Sequence, residues 1–265
     1  AERANAQGTP PADAEAASLE ALELTAEEPT ELRAMAEALY ANIASDARRD
    51  DEAFAWAAQA RSLGERLGLA HVVADASAVQ ARLRSRSSDD PDEAKRRFAE
   101  LIESTRVEGN VVGELRAHTL LAFFLYDLGE LDAAEESFLE AMQRAANAGR
   151  SWAPYGFDGR VFASVTAYLR GRWDRGTGLG KVDKLSPPPL AVATLEAVGA
   201  MVSAGRGDAS ALVTIERLRP LWSQDIVLAI YAGTAAIDLA EDVSAAVAWH
   251  DALLESDRKS TRTNS

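Results

Sequence analysis

The feature that most constrains this chain is a helix face that recurs along it. A small residue stands at Ala53, Ala94, Ala134, Gly176, Ala211 and Ala245, at intervals of 41, 40, 42, 35 and 34 residues. Four positions later come Ala57, Phe98, Phe138, Gly180, Ile215 and Trp249, and seven positions later Ala60, Leu101, Ala141, Asp183, Leu218 and Ala252. Positions i, i+4 and i+7 share one face of an α-helix, so each copy is a helix with a narrow small-or-apolar stripe. A lone helix cannot bury such a stripe, whereas stacking successive copies buries all of them in one continuous core. The spacing predicts an all-α fold, a right-handed α-solenoid of about six helical hairpins, in which Gly180 and Asp183 make the Gly176 copy degenerate.

The stretch from Leu125 to Gly149 shows how one hairpin is specified. Gly129 ends the first helix, because a residue without Cβ enters the left-handed conformation cheaply. Asp132 is placed to cap the second helix, with Glu135 completing a capping-box-like pair. Ala134, Phe138, Ala141 and Ala145 then line one face, with Glu136, Glu140 and Arg144 on the others and Glu140 paired to Arg144.

Similar signals predict helices from Thr30 to about Ala44, Asp51 to Leu67, His71 to Arg84, Pro91 to Thr105 behind an Asp90 cap, Val111 to Leu128, and Asp132 to Ala148. Residues 1–29 read as a linker, with Pro10-Pro11, followed by a short helix from Ala14 to Leu24. The repeats then occupy 30–256. The last nine residues, DRKSTRTNS from Asp257, match a common sequencing-adapter translation, DRKSTRLNS, except at Thr263, and are expected to be a non-native tail. The absence of an initiator Met leads to the expectation that the native chain begins further upstream.

Composition narrows the function classes. A net charge of -14 argues against a direct grip on a phosphate backbone or an anionic membrane. With 0 Cys there is no disulfide, thiolate metal site or cysteine nucleophile, which fits a cytoplasmic setting. No apolar run approaches the ~18 residues of a membrane span.

Leu128-Gly129, Leu131, Ala134, Phe138 and Ala141 together resemble the tetratricopeptide repeat pattern. It returns loosely at Gly171, Trp173 and Gly176, and at Gly205-Arg206-Gly207-Asp208 before Ala211. The longer interval of the first half resembles the repeats in the regulatory region of LuxR/MalT-type transcriptional activators. So does the order of Arg150-Ser151-Trp152-Ala153-Pro154-Tyr155-Gly156-Phe157, the Gly-Arg-Trp-Asp at 171–174, Pro187-Pro188-Pro189, and Leu218-Arg219-Pro220-Leu221-Trp222. That resemblance implies an ATP-binding module upstream and a helix-turn-helix domain downstream, neither within this segment. No cofactor is then expected here; ATP belongs to the upstream module, and DNA is reached only through the downstream one.

Catalytic motifs find little support. Arg175-Gly176-Thr177-Gly178-Leu179-Gly180-Lys181 lacks the first Gly and the Ser or Thr of a phosphate loop, and no strand precedes it. His71, His118 and His250 are isolated, and no Ser lies in a G-x-S-x-G context. Arg206-Gly207-Asp208 reads as an inter-helix turn. The chain is expected not to be an enzyme.

The richest candidate surface is aromatic and charged: Trp152, Tyr155, Phe157, Asp158, Arg160 and Trp173. These side chains either line a ligand groove between repeats or, in the case of Trp152 and Trp173, plug the junction where the repeat interval changes. A concave face made by first helices would expose Arg116, His118, Arg160 or Tyr168 to a protein or small-molecule effector. The function expected is sensing and protein interaction within a LuxR/MalT-like regulator. A stand-alone adaptor binding peptide segments is the alternative.

Overall fold

A computed structural model of the chain describes residues 11–25, 29–87, 90–179 and 187–263. Among them there is no β-strand. The α-helices are Pro11–Leu24 (α1), Glu31–Asp46 (α2), Asp50–Leu67 (α3), Ala70–Ser87 (α4), Pro91–Val107 (α5), Val111–Asp127 (α6), Leu131–Asn147 (α7), Pro154–Leu169 (α8), Trp173–Leu179 (α9), Pro189–Gly205 (α10), Ala211–Leu218 (α11), Ile226–Asp238 (α12) and Val243–Thr263 (α13). A single 3-10 turn, Arg219–Leu221, follows α11. None of these helices is long and apolar enough to cross a membrane.

The chain divides into two units, residues 1–129 and 130–265. In the first, each helix packs on the next, and α2 also meets α4, as α4 meets α6. In the second, α8 likewise meets α10, and α10 meets α12. A helix that touches its neighbour and its next-but-one neighbour is the packing of stacked helical hairpins. The all-α, repeat-like expectation is therefore met within each unit.

The repeated stripe is what each unit buries. Ala53, Ala57 and Ala60 of α3 are fully buried beside Ala34, Ala41 and Ala44 of α2 and Val72, Ala76 and Val79 of α4. Small side chains on both partners let these helix backbones approach closely. In the second unit Ala134, Phe138, Ala141 and Ala145 are all 0% exposed, and Phe138 stacks on Phe162 of α8 at 5.6 Å between ring centroids. Two glycines let α8 settle there: a Cβ at Gly159 would stand 2.8 Å from the Phe138 carbonyl oxygen, and one at Gly156 2.6 Å from the Ala145 Cβ. Ile215, Leu218, Trp222 and Leu228 continue the core towards α12. In the degenerate copy Gly176 is buried, while Gly180 and Asp183 lie outside the described residues.

Several caps follow their sequence signals. Thr30 Oγ1 accepts from the Arg33 amide at 3.3 Å, and the Asp90 side chain accepts from the amides of Asp92 and Glu93. Five helix ends share one turn: a glycine at φ 68 to 76 stands two residues past α5, α6, α7, α8 and α10, at Gly109, Gly129, Gly149, Gly171 and Gly207. After α2 the same position is filled by Arg48, at φ 60. Its hydrogen bonds are also the same, Arg48 N to Ser45 O at 3.2 Å and Arg49 N to Ala44 O at 2.9 Å, the two bonds of a Schellman turn.

The capping box expected at Asp132 and Glu135 does not form. The N-cap of α7 is Glu130, with no side-chain cap bond, and both acids are drawn to arginines around the start of α9 instead. At the chain's end, α13 runs through the segment from Asp257 to Thr263, continuing the helix that carries Trp249.

Candidate functional site

The α8 cluster is only partly assembled as the sequence suggests. Trp152 precedes α8 and packs half-buried against the core of the second unit. The Arg160 guanidinium lies 5.6 Å above the Trp152 ring, and its Nη1 donates to the carbonyl oxygen of Leu179, the last residue of α9, at 2.9 Å. An arginine there suits the negative end of a helix. Arg160 Nε and Trp152 Nε1 are buried with no hydrogen-bond partner among the described residues. Burial holds Arg160 below the usual guanidinium range, and it pushes the Asp158 carboxyl up to about 7. Tyr155 is half-buried, and Phe157 packs on the core.

Trp173 belongs to another place, at the far end of α8. Its Nε1 donates to the Tyr168 carbonyl oxygen at 3.1 Å, and its ring stacks on Tyr168 at 6.3 Å. The Arg206 guanidinium lies 5.8 Å from the centroid of the Trp173 ring while pairing with Asp174 at 2.6 Å. A Cβ at Gly205 would be 2.7 Å from the Tyr168 ring, so this glycine lets α10 close on the aromatic pair. Trp173 and Tyr168 thus seal the α8–α9 turn. The length of α8 separates them from Trp152 and Arg160.

Arg116 and His118 lie in the first unit, on α6, and the exposure expected for them is corrected. Arg116 Nη1 pairs with Asp75 of α4 at 2.7 Å and its side chain is 16% exposed, while His118 is 7% exposed. The physical reason is that α6 packs on both α4 and α5, which covers that face.

Two clusters were missed by sequence reasoning. Glu135, 1% exposed, is reached by three arginines: Arg170 Nη1 at 2.5 Å, Arg175 Nε at 2.8 Å and Arg172 Nη1 at 3.6 Å. Arg170 also pairs with Asp132. The run Arg170-Gly171-Arg172-Trp173-Asp174-Arg175 carried the signal, but the partner acids lie about a full repeat upstream. Arg175, a member of the glycine-rich stretch that resembles a phosphate loop, is an ion-pair partner here.

The second is a cleft of about 410 Å³ within the first unit. It is lined by Arg48, Arg82, Arg86 and Asp127 and by the apolar Phe98, Leu120, Phe123 and Phe124. Its residues come from four separate parts of the sequence, which is why no linear motif announced it. Arg82 Nε donates to Ser45 Oγ at 3.0 Å and its Nη1 lies 2.8 Å from Asp46; Arg86 Nη1 pairs with Asp50 at 2.8 Å. Arg86 is held below the usual guanidinium range by burial and by the neighbouring charges of Arg82 and Arg48.

No protein-family model matches the chain, and no curated protein matches it. Among solved structures it is similar to BtubC (BKLC) from P. vanneervenii, with a TM-score of 0.59 and 14% identity over 82% of this chain and 92% of that chain. At that identity the likeness shows the fold, an all-helical, repeat-like one.

Proposed function

We propose that the chain is a non-catalytic sensing and protein-interaction domain of a LuxR/MalT-like, ATP-dependent transcriptional regulator, working in the cytoplasm. The observation that carries this is the repeated hairpin packing within each unit, in which α2 rests on α4 and α4 on α6 in the first, and α8 on α10 and α10 on α12 in the second. Such stacks present a long surface and yield by small rotations between neighbours. A protein or small-molecule effector that binds one stacking arrangement better than another shifts the equilibrium between them. That shift then controls the ATPase and helix-turn-helix modules of the longer protein. ATP and DNA are contacted by those modules, not by this segment.

The choice of regulator family rests on the ordered run of residues from Arg150 to Trp222 that resembles it. Sequencing the source gene on both sides tests it. A nucleotide-binding module upstream and a basic helix-turn-helix downstream are the expected result, and a gene with neither refutes it. The gene would then encode a stand-alone adaptor for peptide segments. The likeness that takes in 92% of the BtubC chain favours that second reading, because there the fold makes up nearly the whole chain.

A further inference from the structure

The turn at Arg48 is the irregular member of a regular series. Five counterparts use glycine for a left-handed backbone, and nothing lies within 4 Å of where their Cβ would stand. Arginine meets that backbone requirement worse than glycine does. Among the described residues the Arg48 side chain makes no ion pair and no hydrogen bond, so the fold gains nothing visible from it. Backbone strain that the fold does not use concentrates at functional positions. What Arg48 does line is the cleft that it shares with Arg82, Arg86 and the phenylalanines.

The cleft's chemistry is two-sided. Arg86 spends Nη1 on Asp50 and on the Ser45 carbonyl oxygen, while its Nε and Nη2 make no hydrogen bond among the described residues. Arg48 and Arg86, which both line the cleft, therefore carry N–H donors that the fold leaves unspent. Of the charged residues lining the cleft three are arginines and one is Asp127, in a chain whose net charge is -14. The same cleft is lined by Phe98 and Phe124, whose rings form a tilted pair at 5.9 Å, and by Phe123 and Leu120. A volume of about 410 Å³ falls in the range of small-molecule pockets, roughly 300–1,000 Å³. A bare inorganic anion would leave the apolar wall uncovered, and a neutral apolar molecule would leave the arginines unanswered.

We propose that this cleft binds an amphipathic organic anion, a carboxylate carrying an acyl or aryl body. The carboxylate sits between Arg48 and Arg86, and the body lies against Phe98, Phe123 and Phe124. Arg82, spent on Ser45 and Asp46, orients the wall without meeting the ligand head-on. The binding depends on the first unit alone and stands whether or not the regulatory modules exist.

Isothermal titration of the full chain with decanoate tests it, with acetate as the head without the body and decanol as the body without the head. Decanoate is expected to bind at least about tenfold tighter than either control, since both a charge-assisted hydrogen bond and apolar burial are at stake. Arg48→Gly is expected to weaken decanoate about tenfold with an unfolding temperature unchanged or higher, because glycine suits the turn. Phe123→Ala is expected to weaken decanoate and leave acetate alone. The proposal is overturned if decanoate binds no better than decanol, if acetate binds as well as decanoate, or if folded Arg48→Gly binds decanoate as the parent does.

Discussion

Replacing Arg48 with glycine should make the protein more stable, an unusual sign for removing a side chain. The left-handed conformation costs an L-residue about 1–2 kcal/mol. Glycine returns roughly 0.5–1 kcal/mol of that through the extra freedom of its unfolded chain. The side chain removed makes no ion pair among the described residues, so no further loss enters. The net gain is about 0.5–1 kcal/mol, or about 1–4 °C in the unfolding temperature of a chain this size. The matched control is Gly149→Ala, at φ 68 with nothing within 4 Å of the new Cβ. It faces the same two terms with opposite sign and should lose about 0.5–1 kcal/mol. Because the two positions lie in different units, urea unfolding followed by amide hydrogen exchange assigns each effect to its own unit. If Arg48→Gly destabilises the first unit while Gly149→Ala behaves as expected, Arg48 makes a stabilising contact and the strain argument is refuted.

Glu135→Ala leaves the nearly buried Arg170 with Asp132 as its remaining partner and should destabilise clearly more than Arg172→Ala, which removes contacts of 3.5 and 3.6 Å at a half-exposed arginine and should cost under about 1 kcal/mol; chemical denaturation separates the two. Gly159→Ala drives a methyl against the main chain of α7 and should destabilise by about 1–3 kcal/mol, although alanine favours a helix by about 1 kcal/mol; comparable stability in a thermal scan would refute the close approach. Asp158 titrates higher folded, at about 7, than its ordinary 3.8, so the folded state holds its proton more tightly. Its contribution to stability is full below 3.8 and is lost as pH rises to about 7. Asp158→Asn should therefore gain on the parent as pH rises through that window, and a pH-independent difference in unfolding temperature would contradict this.

The legible parts of the fold were those written within a few residues of one another. Thr30, Asp90 and Gly129 each act on a backbone group in their own turn, so their caps and stops could be read directly. The buried face at Ala134, Phe138, Ala141 and Ala145 was legible for the same reason, since helical periodicity is local. The candidate sites fared differently. Trp152 and Arg160 do meet, Trp173 does not join them, and His118 is covered by helices whose approach no local pattern states. Asp132 and Glu135 fitted a local capping rule and were claimed by distant arginines. For Glu135, a charge-assisted pair with the nearly buried Arg170 outweighs a cap bond that solvent can replace.

The sequence alone determined that this chain is helical, where most helices start and stop, and which stripe each one buries, because these follow from propensity, capping and period along a single helix. Only the tertiary structure decided which charges meet. Arg170 finds Glu135 from 35 positions away, and Arg86 finds Asp50 from 36. Only the tertiary structure, too, brings Arg48, Phe98, Phe123 and Phe124 to line one cleft. Such meetings depend on how far each hairpin is rotated on the last, a quantity set by the packing of whole helix faces and recorded in no short stretch of residues.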